Sequence, residues 1–462
     1  MSARGGIEQT CYWLAHRAAP AAQPSLVGEQ TAAVVIVGAG YTGLWTALFL
    51  RELNPALDIA IVEQGGAAHG ASGRNAGMIA ETIDHTHGLA AEHFGDDEAR
   101  VLAKLGRENF AEMFSFLARH GIDCDFEPSG RMLVALTEAH VASLHASVAD
   151  AERVGVHDYK FLTREETQDE LHSPLYRGGL LVPSGGVLDP VKLVEGLRRV
   201  ALAQGIRIFE HSAVSRLDDE GSRVRVVATH GSLRAPKVIL ALSAYTHHLL
   251  PRVLHRFIPL YDYITVSEPL TPEQLRSIGW ARRQGVTDAR NFFLYYRLTA
   301  DNRILWGTSE AVYYRGNRVG PAQDHSETHY ASLRASFRQH FPQLDSLEFS
   351  YAWGGAICAT TRLTPFFGAA LGGKVSYGLG FTGHGLGSTR VAARILAHLA
   401  LGKPHENLAL SLVRRPPFPY PPEPLRGLAV SLVTRALRRV DEGAPPNLLL
   451  RILAKMGIGF SS

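Results

Sequence analysis

Gly38, Gly40 and Gly43 stand as a GxGxxG in Gly38-Ala39-Gly40-Tyr41-Thr42-Gly43, and Glu63 follows 20 residues after Gly43. Glycine at the first position permits a tight turn. At the second it lets a pyrophosphate approach the backbone, and at the third it lets a helix pack closely on a strand. The N–H groups that open such a helix are unpaired and carry partial positive charge, which suits phosphate. Tyr41 and Thr42 lie inside the same turn, and Gln64 sits beside the acid. A carboxylate at Glu63 suits the ribose hydroxyls of an adenosine and disfavours a 2′-phosphate.

Directly after the acid comes Gly70-Ala71-Ser72-Gly73-Arg74-Asn75-Ala76-Gly77-Met78. Small residues of this kind let backbone run close along an extended ligand. Arg74 suits a phosphate or a substrate anion; a solvated loop arginine is the alternative. A second glycine loop, Gly383-His384-Gly385-Leu386-Gly387, leads into a helix expected over 388–401. No second strand with a terminal acid follows, because the chain runs to Pro404 and a proline-rich stretch. Two dinucleotides are therefore disfavoured, and one cofactor held at two ends is the better reading. The first loop takes its pyrophosphate, and the second aims N–H groups at a ring that becomes anionic on reduction. A cofactor with both ends is FAD.

These loops need elements to hold them. Residues 31–37 are apolar and β-branched, as in a parallel strand buried on both faces. A helix over 44–53 stops at Asn54-Pro55, and a second strand fills 57–62. Asp189 and Pro190 read as the cap and first residue of a helix that ends near Gly205. Strands follow at 206–209, 224–229 and 237–242, and another at 375–380. Helices are expected at 97–120 and 137–156. Between 252 and 352, strand-like runs dominate, at 258–266, 292–298, 304–307 and 347–352. The fold class is α/β: an FAD-binding Rossmann-like domain from discontinuous segments plus an antiparallel-sheet substrate domain. The expected boundaries are 28–90, 180–250 and 350–405 for the first, and 91–179 with 251–349 for the second. Residues 406–462 make a Pro-rich linker and helical tail.

Composition narrows the class. The 462 residues are 46% hydrophobic and 20% charged, which excludes a disordered or collagen-like chain. A net charge of +3 is too small to imply nucleic acid. Cys11, Cys124 and Cys358 lie far apart with no CxxC, which fits a reducing compartment and no paired-thiolate metal site. No apolar run reaches membrane-span length. Residues 1–30 lack the apolar core of a signal peptide, so cytoplasm is the default location. From Arg414 onward, eight basic residues face three acids. Leu425, Leu428, Ala429, Leu432, Val433, Ala436, Leu437 and Val440 fall at helical spacing there, and 448–456 reads as a second short helix. Such a basic amphipathic helix folds back on its protein, pairs with a second copy or lies on an anionic membrane.

The chain resembles the FAD-dependent amine and amino-acid oxidoreductases of the D-amino-acid oxidase superfamily, most of all the γ-glutamylputrescine oxidoreductase branch. The matching stretches are Tyr12-Trp13, VVIVGAGYTGLWTALFL (34–50), GASGRNAGM (70–78), SGGVLDP (184–190), VILALSAYT (238–246), YYRLTADNRILWG (295–307), YAWGG (351–355) and GLGFTGHGLGSTR (378–390). The resemblance implies that Gly38, Gly40 and Gly43 hold the pyrophosphate and Glu63 the ribose. Ser72, Arg74, Asn75, Ala76, Gly77 and Met78 would line the cofactor near its ring. Val214 would meet adenine through its backbone. Gly383, His384, Gly385 and Leu386 would sit by the pyrimidine edge.

Relatives often carry W-x-G-L-R-P-x-T-x-D, whose arginine grips a substrate carboxylate. Here Ile357 takes the arginine's place and Arg362 the acid's. That disfavours simple α-amino acids. Asn75 stands where some relatives link FAD through histidine, and the surroundings of Cys358 match poorly those of a cysteine linkage, so FAD is expected to be non-covalent. The implied activity is oxidation of an amine C–N bond, with hydride passing to flavin N5. The imine then hydrolyses to aldehyde plus amine, and oxygen or another acceptor takes the electrons. His384, Tyr261, Tyr263 and Arg297 are the catalytic candidates; for the last three, strand packing or a surface ion pair is the alternative. Competing activities are a glycine- or sarcosine-type oxidase and a membrane-associated flavin dehydrogenase that passes electrons to a quinone. A monooxygenase is disfavoured, because no NADPH site is visible.

Overall fold

A computed structural model describes residues 6–18, 21–83 and 86–459. Expectations that touch residues 1–5, 19–20, 84–85 and 460–462 lie outside the described residues.

The strand Val34–Val37 is buried at every position, as its β-branched run requires. It sits inside a six-stranded sheet. The order is Phe366–Ala370, Val375–Leu379, Lys237–Leu240, Val34–Val37, Ile59–Val62, Arg207–Phe209. All neighbours are parallel except the first pair. Segments from four distant parts of the sequence thus meet in one sheet. The helices Tyr41–Leu53 and Gly385–Leu401 pack on one another, so both glycine loops open helices of one layer. Gly43 makes this layer possible, because a Cβ there would strike the carbonyl oxygen of Gly38. A four-stranded sheet of Gly28–Thr31, Gly231–Ala235, Val224–Ala228 and Val214–Asp219 stands beside it.

The second large sheet has eight strands. Its order is Phe349–Ala359, Ile258–Ser267, Ile304–Val312, Leu294–Leu298, Gly285–Asp288, Arg131–Ala135, Gly178–Val182, Lys160–Leu162. It is antiparallel apart from the Gly285–Asp288 and Arg131–Ala135 pair. The last three strands come from residues 131–182, where sequence patterning showed only helices. They are five residues or fewer, too short for alternation to stand out. Leu294–Leu298 starts two residues later than its apolar run suggests. The backbone N–H groups of Asn291 and Phe292 instead donate to the carboxylate of Asp441, at 2.8 and 3.1 Å.

The C-terminal segment is docked. Its helices span Leu425–Asp441 and Leu448–Lys455. Before them, Tyr420 N donates to His255 O at 2.7 Å and Thr361 Oγ1 to Phe418 O at 2.8 Å. After them, Gly459 N donates to Thr361 O at 2.9 Å. Arg362, buried, donates to Thr364 Oγ1 and Arg415 O, so it fastens this segment. At the other end of the chain, Trp13 Nε1 donates to Asn75 O at 2.9 Å and Tyr12 Oη to Asp301 Oδ1 at 2.7 Å.

Candidate active site

A cavity of about 730 Å³ runs between the two large sheets and under the C-terminal helices. One end is built by the first glycine loop. Gly38 has φ +109°, and a Cβ on it would lie 2.7 Å from Ala241 O. A Cβ on Gly40 would lie 2.7 Å from Ser72 Oγ, which already accepts from Tyr41 N at 3.0 Å. Side chains are excluded here, and a cradle of backbone remains. Glu63 closes this end. Its Oε2 accepts from Ala39 N at 2.8 Å and its Oε1 from Gly65 N at 3.1 Å. Burial raises its pKa, and these N–H groups oppose the rise. Gln64, Thr42 and Val214 line the same end.

The other end is built by the second glycine loop. Thr382 and Gly383 turn with positive φ (44° and 88°), and His384 caps the helix Gly385–Leu401. The first-turn N–H groups of that helix have no partner within it. Burial, then the charge of Arg131, lowers the His384 pKa to about 4, so its imidazole is neutral near neutral pH. Gly383, Gly385 and Leu386 share this wall with it.

Ser72, Arg74, Asn75, Ala76 and Met78 lie along the cavity between the two ends. Arg74 is buried, with Nη1 2.7 Å from Asp324 Oδ2, and its Nε donates to His69 O at 2.8 Å. Asn75 braces its own turn: Nδ2 donates to Ser72 O and Oδ1 accepts from Gly77 N. Gly43 and Gly77 are set behind the wall, where they allow close backbone contact.

Three catalytic candidates are placed elsewhere. The strand Ile258–Ser267 sends Ile258, Leu260, Asp262 and Ile264 to the cavity. Tyr261 and Tyr263, at alternate positions, point to the opposite face. Tyr261 Oη there accepts from Gly320 N at 2.9 Å, and Tyr263 Oη meets Tyr314 Oη at 2.6 Å. Arg297 is buried behind the wall. It donates to Leu188 O at 2.6 Å and Gly77 O at 3.3 Å, under the ring of Trp13. Burial lowers its pKa to about 10, and it stays charged. These contacts support the cavity from outside.

Sequence reasoning missed Asp262 and Arg131, both of which line the cavity. Asp262 is 9% exposed. Its Oδ1 has no hydrogen-bond partner among the described residues. Its signal was an acid in the middle of an otherwise uncharged strand. Ile357 and Cys358 also stand in the wall, and burial pushes the Cys358 thiol up, so it stays protonated. Among the described residues no group of side chains is gathered to hold a metal ion. Nor is any described helix long and apolar enough to cross a membrane.

A nucleotide-shaped cradle, a buried acid beside it and a helix N-terminus at the far end of one cavity define a dinucleotide-type flavin site. The chain belongs to the FAD-dependent oxidoreductase family, whose model matches residues 33–399. It is 31% identical to γ-glutamylputrescine oxidoreductase of Escherichia coli K12 over 84% of this chain and 88% of the relative. It is 28% identical to a probable oxidoreductase, OrdL, of Rhizobium meliloti over 86% and 89%. Among solved structures, glycine oxidase of Geobacillus kaustophilus shares the fold with a TM-score of 0.68. That likeness has 20% identity and covers 84% of this chain and 99% of the other. The cofactor is FAD, and the glycine cradle fits it.

Proposed function

We propose that this chain oxidises the C–N bond of an amine to an imine, which hydrolyses to an aldehyde and an amine. Bound FAD supplies the two-electron acceptance this oxidation requires. The chain's own residues supply position and polarity. Gly38, Gly40 and Glu63 hold the nucleotide end, and the turn at Gly383 to Leu386 presents N–H groups to the ring end. His384, neutral in the wall, is a polar neighbour that can share a hydrogen bond without adding charge. The observation that carries the amine reading is Ile357 in the cavity wall, at the position where relatives place a carboxylate-gripping arginine. The similarity to γ-glutamylputrescine oxidoreductase agrees with it.

The test is anaerobic. The flavin band of the purified protein is recorded while polyamines, γ-glutamyl amines, N-methyl amines and amino acids are added in turn. Bleaching by an amine class and not by glycine or sarcosine supports the reading; bleaching by glycine alone sinks it. Readmission of air then tells oxygen from another acceptor.

A second reading is a dehydrogenase that rests on an anionic membrane and passes electrons to a quinone. It is favoured by the distribution of large exposed apolar side chains. Seven of the nine among the described residues lie between Phe418 and Met456, including Leu425 at 58%, Leu428 at 56% and Leu432 at 45%. Arg435, Arg438, Arg439, Arg451 and Lys455 are exposed beside them. Flotation with anionic vesicles that is abolished by changing Leu425, Leu428 and Leu432 to Glu would support it. Failure to float would remove it.

A further inference from the structure

Asp262 is the one wall residue whose carboxyl faces the cavity from a strand otherwise uncharged, and its setting is built rather than incidental. The register of Ile258–Ser267 against Ile304–Val312 shifts between Tyr261 and Tyr263, directly at Asp262. Opposite it, Ala311 holds the left-handed conformation, φ 53°, which costs energy for a residue with a Cβ. The bulge turns the N–H of Ala311 toward the Asp262 carboxyl. Gly355 faces Asp262 from the other neighbouring strand and brings no side chain. Among the described residues no cation pairs with Asp262. The charged and titratable groups that act on it are Glu310, on the bulged strand, and Tyr295 across from it. Glu310 is itself 3.6 Å from His329. A buried acid whose charged neighbour is another acid is costly unless a positive ligand arrives.

We propose that Asp262 is the recognition site for an ammonium group of the substrate. This rests on the amine-oxidation reading and narrows it to substrates that present a second, non-reacting cationic nitrogen to this wall, diamines rather than carboxylates. The cavity around Asp262 suits the rest of such a molecule. Leu260, Ile264, Ala356 and Ile357 are apolar and accept methylene groups. The binding event balances simply: a neutral amine meeting the carboxylic acid, or an ammonium meeting the carboxylate, gives the same ion pair. Burial, then Glu310, raises the pKa of the carboxyl, and a cation beside it favours the ionised form.

The test uses the FAD-loaded protein and calorimetry, with tetramethylammonium chloride as the probe. It has no hydrogen on nitrogen and cannot be oxidised to an imine, and tert-butanol is its uncharged counterpart. The wild-type protein is expected to bind the cation and not the alcohol. Asp262→Asn is expected to lose about thirtyfold or more of the cation affinity with FAD content unchanged. Equal binding of cation and alcohol by the wild type overturns the proposal, whether or not the variant folds. Unchanged cation affinity in Asp262→Asn also overturns it. Flavin bleaching separates the two levels. If no amine bleaches the wild type while the cation binds through Asp262, the oxidation reading falls and the ammonium site stands. If butane-1,4-diamine bleaches wild type and Asp262→Asn with the same KM, the site falls and the oxidation reading stands.

Discussion

Arg74 Nη1 stands 2.7 Å from Asp324 Oδ2, and both side chains are largely buried. The pair crosses the seam between the two large sheets. Arg74 belongs to the loop that follows the first glycine turn, and Asp324 to the connection after the strand Ile304–Val312. Trp353 Nε1 donates to Arg74 O at 2.8 Å across the same seam, and Gly354 N, on the side of the eight-stranded sheet, holds Asp324 by donating to its carbonyl oxygen at 2.7 Å. An arginine that sequence suggested for an anion thus already has one, supplied by its own chain.

Removing Asp324 leaves the Arg74 charge buried and alone. Asp324→Ala should lower stability by about 3–5 kcal/mol, the range for breaking a buried pair from one side. Urea unfolding of the FAD-loaded protein measures it. A loss below about 1 kcal/mol would show that water reaches the seam.

Gly43→Ala places a methyl group on the carbonyl oxygen of Gly38, so helix and strand must part. The expected result is destabilisation by about 1–3 kcal/mol together with loss of bound flavin. Flavin absorbance per mole of protein reads the second effect directly. Full flavin content with a wild-type melting curve would contradict it.

His384 carries a pH signature. Its pKa falls from 6.5 to about 4 on folding. Between these values the unfolded chain binds a proton that the folded chain refuses, so stability drops as pH falls through this window and is flat above it. His87, His93 and His247 are depressed to about 4 in the same way, each chiefly by burial. His384→Gln should therefore remove part of the acid slope, not all of it. Melting temperatures taken across the window, wild type against variant, decide the matter; parallel slopes would refute the assignment.

Asp441 ties the long C-terminal helix to the eight-stranded sheet through Asn291 and Phe292, with Asn291 Nδ2 donating at 2.7 Å as well. Asp441→Ala should cost about 1–2 kcal/mol, because half-buried donors lose their acceptor. Iodide should then quench flavin fluorescence more strongly, since this helix brings Val433 and Leu437 to the cavity wall. Quenching unchanged from wild type would mean that the helix stays closed without this anchor.

The glycine turn, its helix and Glu63 were legible in the sequence because sterics leave few alternatives there: a Cβ at Gly38 or Gly43 meets backbone that cannot move. The face of the strand Ile258–Ser267 was not legible. Nearly every residue of it is buried, so no polar–apolar alternation marks the side that meets the cavity. Two tyrosines drew attention to one face, while Asp262 on the other reaches the site. The amphipathic stripe from Leu425 to Val440 was plain, but a stripe does not name its partner. Ala429, Val433 and Leu437 found theirs in the cavity wall, and Leu425, Leu428 and Leu432 remain exposed.

The interleaving of the six-stranded sheet sets the timetable of folding. Val34–Val37 is made some two hundred residues before its neighbour Lys237–Leu240, and Val375–Leu379 comes later still. Val34–Val37 can pair early with Ile59–Val62 on one side but has to wait with its other edge open, which slows folding and invites wrong pairing. The cradle at Gly38 is completed only when Ala241 arrives, and the helix at Gly385 is made later still. Flavin capture is accordingly a late event in the life of the nascent chain, and its supply during expression governs how much of the protein reaches the native state.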